Sequence, residues 1–443
     1  MRLRYVASAC VLVEHEGTRV LCDPWLTDGA YYGSWNHCPP LDLGPGDFQD
    51  IDALYISHIH PDHLDPETLR RLPKSIPVFI LEYAEKFVLR NLQALGFKDV
   101  RELPHRGAAR VGGIELTIHA ADNCDPEACG RFFGCAAPRP YTKTQQIDSL
   151  AVFRAGGKMI VNVNDCPFPI AAGAAREIHA AHGSPDLLLV GYAGAGPYPQ
   201  CFDNLDAEAK RLRAEKKKRQ FLEQAADFIE TLRPKRFLPF AGQYALGGRL
   251  AALNDLRGVP EPSEALSALK PVLEARGAAS EGLLLNAGEW FDLDAEKASR
   301  PYEAPEPAAR ARYVADVLAK RPLAYEEGRP NVAGLDERLA AAFERMSRHR
   351  RRLGYSSDWT VYLDAGEGPL RSIPFDDRPI GKSDRGSERA PFVRIALDAA
   401  LLDRILDRKA HWNNAEVGSH LRLWREPDNY ERAVFDLLSY LHA

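Results

Sequence analysis

What this chain lacks narrows it first. No apolar run approaches the ~20 residues that a membrane-crossing helix needs, so no membrane partner is expected. A formal net charge of −5 leaves no basic surplus to grip phosphate backbones, and nucleic acid is not expected as a partner. Eight cysteines in 443 residues are too sparse for a disulfide framework, so a reduced, cytoplasmic setting is the expectation. A secretory leader is not expected either. The apolar run that follows Met1-Arg-Leu-Arg-Tyr-Val stops at Val13, and Glu14-His-Glu-Gly17 comes next without a small-residue cleavage site. Val11 to Leu21 reads instead as a β-hairpin turning at Glu16-Gly17. Internal repeats and low-complexity segments are missing as well.

What is present centres on Ser57-His58-Ile59-His60-Pro61-Asp62-His63, directly after the strand-like run Ile51 to Ile56. In extended backbone, residues two apart project the same way, so His58 and His60 converge. Pro61 holds His60 in β or polyproline geometry. Asp62 and His63 sit on the turn that follows, and Asp65 with Pro66 starts a helix, Leu64 stapling to Leu69. Imidazoles and a carboxylate gathered at a strand end suit zinc, iron or manganese.

His-x-His-x-Asp-His after a buried strand resembles the signature of the metallo-β-lactamase fold, a four-layer αββα sandwich with metals at the shared edge of two sheets. Within that superfamily the sequence is most similar to the metallo-β-lactamase-like domain of CMP-N-acetylneuraminate hydroxylases. The likeness lies in Asp47 to Leu69, Asn162-Val-Asn-Asp-Cys166, Arg213 to Phe221 and Pro234 to Gly242, with a fainter echo at His411-Trp412-Asn413. It implies an α/β catalytic unit over residues 1–250 that binds one or two divalent transition metal ions, zinc or iron. Residues 251–330, rich in Ala, Glu, Arg and Pro, read as helices and linkers. Residues 331–443 read as a smaller α+β unit with a helix over Leu335 to Leu353.

Further site residues follow from the same resemblance. Asp23, ending the second strand, would orient a metal-bound histidine rather than bind metal; the bland reading is an Asp-Pro turn. The hydroxylases carry a histidine shortly before an Asp-Thr or Asp-Ser pair, but this chain has Thr144-Gln-Gln-Ile-Asp148-Ser149. His119, ending a strand, is therefore the candidate for the third ligand segment, with Asp122 as its substitute. Asp165, after the strand Met159 to Asn164, is the expected bridging carboxylate. The last histidine of many metallo-β-lactamase enzymes is absent from Pro234 to Gly242, as it is in the hydroxylases.

The pocket is expected to draw on the Gly-rich loop, with Tyr192, Gly194 and Tyr198, and on Gln243. The aromatic loop Tyr31 to Pro40 is a candidate wall. Cys124, Cys129 and Cys135 lie in an insertion that reads as free thiols in a loop, or as a second metal site. The run Lys216-Lys-Lys-Arg219 is a solvated helix face unless it turns toward the pocket and draws an anionic substrate.

Two activities fit this pattern. One is hydrolysis of an ester, amide or phosphoester in a small metabolite by metal-activated water, with Asp62 beside that water as base or ligand. The other is oxygenation by non-haem iron. A Rieske centre needs two Cys and two His ligands, and no Cys-x-His pair occurs here, so an external electron donor is expected for that chemistry. The substrate would be a small molecule, anionic or sugar-nucleotide-like in one reading, and a homodimer is compatible with the C-terminal unit. A non-catalytic binding protein with a degenerate metal site is the third alternative.

Overall fold

The computed structural model describes residues 1–121, 148–327, 334–366 and 368–442. Asp122, the three-cysteine insertion and residues 144–147 lie outside them.

Two sheets face each other. The first, of eight strands, runs in the order Lys297–Ala298, Trp290–Asp292, Arg2–Ala7, Cys10–His15, Thr18–Cys22, Ala53–Tyr55, Val78–Leu81 and Val100–Leu103. The second, of seven, runs Glu281–Gly282, Arg236–Phe240, Leu187–Gly191, Lys158–Asn162, Ser149–Ala155, Ile114–Ala120 and Gly107–Val111. The expected hairpin at Glu16-Gly17 is present, with Val13 opposite Val20. Strands at 281–298, inside the stretch expected to be helical linker, complete both sheets.

Alternation along the strands explains the layering. In Ser149–Ala155, Ala151 and Phe153 join the core between the sheets, while Leu150 and Val152 point outward. The outward set packs under the helices Phe168–His182, Ala207–Leu232 and Pro262–Ala275, through Ile178, Phe228 and Leu269. The first sheet carries Pro66–Arg71 and Phe87–Ala94, which contribute Leu69 and Leu92 to the same core. Each such fully buried side chain contributes about 1.5–3 kcal/mol. The αββα arrangement expected from the sequence is the one observed.

A five-stranded sheet over Gly381–Ser383, Leu370–Pro374, Thr360–Asp364, Phe392–Ala396 and Arg422–Glu426 forms the C-terminal unit. Its core is shared with the N-terminal loop: Trp25, Tyr31 and Trp35 cluster with Phe343, Leu402 and Trp412. The aromatic loop after Asp23 is thus clamped between the two units.

Strand direction sets where chemistry gathers. Thr18–Cys22, Ala53–Tyr55 and Val78–Leu81 are mutually parallel, as are Lys158–Asn162, Leu187–Gly191 and Arg236–Phe240. Ligands in such sheets bind beyond the carboxyl ends of the strands. Asp23, His58, Asp165, Tyr192 and Gln243 all follow those ends.

Candidate metal centre

The loop after Ala53–Tyr55 is fixed before any metal is considered. Asp65 caps the following helix, accepting from the backbone N–H of Thr68 at 3.0 Å and the Thr27 hydroxyl at 2.6 Å. Tyr83 and Ser149 both donate to the Ser57 carbonyl, at 2.6 and 3.0 Å, which ties the loop to both sheets. Several non-glycine residues around the site hold left-handed backbone: Asp23 (φ 44°), Tyr31 (51°), Tyr32 (60°), Asn164 (49°) and Ala241 (62°). Such conformations cost energy and collect where geometry is imposed by function.

Five of the six predicted metal ligands meet. The Nε2 atom of His58 lies 2.8 Å from Nδ1 of His60, on a chain that bends at residues 59–60 rather than running extended. Nε2 of His63 lies 3.3 Å from Asp165 and 3.5 Å from Asp62. His58, His63 and Asp165 each offer a ligand atom within 4.8 Å of the others. His58 and His63 are fully buried, while the Asp165 side chain is 31 % exposed and leaves the centre open on one side. Asn164 turns the chain toward the centre, donating to the Ser149 carbonyl at 2.8 Å, and asparagine tolerates this left-handed turn better than most residues.

Asp23 contacts both Ser57 and the His63 ring. Its Oδ2 lies 2.9 Å from Nδ1 of His63 and accepts from the Ser57 hydroxyl at 2.7 Å, while its Oδ1 accepts from the Ser57 N–H at 2.7 Å. With Nδ1–H committed to Asp23, Nε2 of His63 faces two carboxylates. Nε2 is buried and makes no hydrogen bond. A lone pair held against anions is repulsive unless a cation or proton lies between them. Burial disfavours a charged His63, yet Asp165, Asp62 and Asp23 outweigh it and hold its pKa well above the ordinary value. His58, by contrast, is held well below, by burial and by His63 and His60. The donor set therefore fits a divalent ion.

Three residues join that sequence reasoning left out of the ligand set. Asp148 Oδ1 lies 3.0 Å from Nδ1 of His58, and burial, with Asp165 nearby, pushes its carboxyl up to about 8. Its Asp-Ser pair was the available signal, read only as lacking a histidine. Tyr31 donates from its hydroxyl to Asp62 at 2.6 Å, so the aromatic loop is a site wall. Asn413, from the C-terminal unit, lies 3.1 Å from Nε2 of His60. The His411-Trp-Asn segment thus reaches the centre besides packing in its core.

His119 does not come to this centre. In Ile114–Ala120 it alternates with Ile118 and Ala120, which face the inter-sheet core, so it points out toward the helix Phe168–His182. There it joins His105 and Glu177, whose ligand atoms also lie within 4.8 Å. Nδ1 of His105 accepts the Ala120 N–H at 3.1 Å, so Nε2 carries the proton and donates it to Glu177 at 3.1 Å. That leaves His105 no lone pair for a cation, and Arg106 claims Glu177 as well. Burial, followed by the neighbouring His105, holds His119 at about 4.

The predicted pocket residues also divide. A Cβ on Gly194 would lie 2.0 Å from Cε2 of Phe221, so this glycine admits the helix Ala207–Leu232 rather than a ligand. Tyr192 is fully buried against Gly242. Gln243 accepts from the Tyr5 hydroxyl at 2.7 Å, and the Tyr198 carbonyl accepts from Lys217 at 3.0 Å.

Comparison with known proteins finds partial likenesses. A family described as the beta-lactamase superfamily domain matches residues 2–134. A protein of Mycolicibacterium smegmatis named for a Rieske 2Fe-2S iron–sulfur centre is 28% identical over 267 residues, 59% of this chain and 47% of that protein. The cytidine monophosphate-N-acetylneuraminic acid hydroxylase of Danio rerio is 26% identical over 253 residues, 55% of this chain and 38% of its own length. This chain thus spans less than half of those relatives. Among solved structures, CmlA, a diiron β-hydroxylase from Streptomyces venezuelae, is similar at 20% identity and a TM-score of 0.41, over 64% of this chain and 53% of that one. No helix among the described residues is long and apolar enough to cross a membrane.

Proposed function

We propose that this protein, which has the metallo-β-lactamase fold, is a metal-dependent enzyme acting on a small molecule by non-haem iron oxygenation. His58, His63 and Asp165 would hold the cation, with His60, Asp62 and Asp148 completing a centre for one or two ions. The observation that carries the metal is Nε2 of His63, buried and aimed between Asp62 and Asp165. Asp148 stands against Nδ1 of His58, where its carboxyl can orient the ring. Two histidines with a carboxylate match the set used by non-haem iron oxygenases, a set that catalytic zinc also takes. The hydroxylases among the relatives support the same reading.

Bound iron would supply redox chemistry with dioxygen. The protein's own part is positioning. Asp23 fixes the His63 tautomer, Asn413 orients His60 from above, and the Tyr31 hydroxyl holds one oxygen of Asp62 so that the other is directed inward. Electrons would come from an external donor.

Elemental analysis of protein purified without chelator tests this. Iron at one or two equivalents, lost in Asp165→Asn, is the expected result. One equivalent of zinc, together with hydrolysis of simple esters or phosphoesters, would replace oxygenation with the hydrolase reading.

A further inference from the structure

Arg257 and Lys217 are two cations that no carboxylate pairs with among the described residues. Arg257 is 3 % exposed. Its guanidinium carbon lies 4.3 Å from the centroid of the Tyr244 ring, and Nε donates to the Asn254 carbonyl at 3.3 Å. Those contacts use the guanidinium face and one edge. Nη1 is buried and makes no hydrogen bond. Among the described residues no carboxylate pairs with Arg257 or Lys217, and the nearby Glu261 is engaged by Arg310 at 3.1 Å. Lys217, half-buried, donates only to the Tyr198 carbonyl. Burial, with Arg257 close by, lowers it to about 7. Buried charges are as a rule paired or neutralised, because an unpaired one forfeits hydration without return. The two belong to segments in contact: a Cβ on Gly258, next to Arg257, would lie 2.5 Å from the carbonyl oxygen of Ala214, one helical turn before Lys217.

An aromatic row joins the pair to the metal donors. Tyr244 stacks on Trp35 with ring centroids 3.4 Å apart, and Trp35 lies 4.6 Å from Tyr31, whose hydroxyl reaches Asp62. The indole N–H of Trp35 and the Tyr192 hydroxyl are likewise buried without partners, and the latter feels the Arg257 charge. Tyr192 and Gln243 follow neighbouring parallel strands at the carboxyl edge where Asp165 also stands.

We infer that Arg257 and Lys217 form a subsite for an oxyanion, a phosphate or carboxylate group of the substrate, set one aromatic row away from the metal donors. This rests on the proposed function only in assigning that anion to a substrate. An oxyanion there would take the free Nη1 and the Lys217 ammonium, and would neutralise both charges.

The test is equilibrium binding of inorganic phosphate, and separately of acetate, to the metal-free protein at pH 7. Saturable binding of at least one is expected, at least 10-fold weaker in Arg257→Met and in Lys217→Met. It should be largely kept in Arg257→Lys and unchanged in Lys216→Met, which removes a neighbouring exposed charge. The preferred probe identifies the class of anion. Asp165→Asn should bind it no more weakly than wild type, so loss of metal and loss of the anion are read apart. Thermal melts confirm that each variant is folded, and Lys217→Met, on a helix surface, stands in if Arg257→Met is not. No saturable binding of either probe, wild-type binding by Arg257→Met and Lys217→Met, or an equal loss in Lys216→Met would overturn the subsite.

Discussion

Nδ1 of His63 lies 2.9 Å from Oδ2 of Asp23, and both side chains are fully buried. That contact decides which nitrogen of His63 faces the carboxylates. Asp23→Asn substitutes an amide that no longer fixes the tautomer by charge. Metal affinity should fall by about 10–100-fold, read by competition with a chromophoric chelator. Unchanged affinity in a folded variant would remove Asp23 from the site.

Metal uptake should depend on pH with a definite sign. Asp148 is pushed up to about 8 by burial, with Asp165 second, so it carries a proton at neutral pH. A cation must displace that proton, and the one held by His63, so apparent affinity should rise with pH through the Asp148 value of about 8. In Asp148→Asn the slope should drop by roughly one proton per ion. A pH series of chelator competitions measures both.

Gly194 separates packing from ligand contact. Gly194→Ala should destabilise the fold by about 1–3 kcal/mol through the clash with Phe221. Gly194→Ala combined with Phe221→Leu should recover most of that loss in urea denaturation. Loss of activity without loss of stability would return the glycine to the pocket.

Glu416 offers a test away from the centre. It is 7 % exposed, and burial raises its carboxyl to about 8. Between the ordinary carboxylate range and pH 8 the folded state therefore binds more protons than the unfolded one, and stability falls as pH rises through that window. Glu416→Gln removes the decline. It should stabilise the protein at pH 8 by on the order of a few kcal/mol and have little effect near pH 4, as urea melts at the two pH values would show.

Much of this was legible in the sequence because local rules governed it. Strand alternation, the cap at Asp65, the hairpin at Glu16-Gly17 and the helix Leu335–Leu353 depend on neighbours in the chain. The His58 to His63 segment was legible for the same reason, and the family likeness located Asp165 and Asp23. His119 failed because the ends of a strand offer two faces, and which one meets the metal is set by the opposite sheet. Asp148 was seen as the remnant of a histidine motif, since nothing local shows that it is buried against His58. Gly194 was read as room for a ligand, when a helix residue 27 positions later fills the space. Asn413 is 353 residues from His60, and no periodicity links them.

The central claim is that imidazoles of the 58–63 segment and the carboxylate of Asp165 hold one cation between them. Anomalous diffraction from crystals of protein purified without chelator tests it directly. The account predicts a peak about 2.0–2.3 Å from His58, His63 and Asp165. A peak at His105, His119 and Glu177 instead, or none near His63 in metal-replete protein, would contradict it.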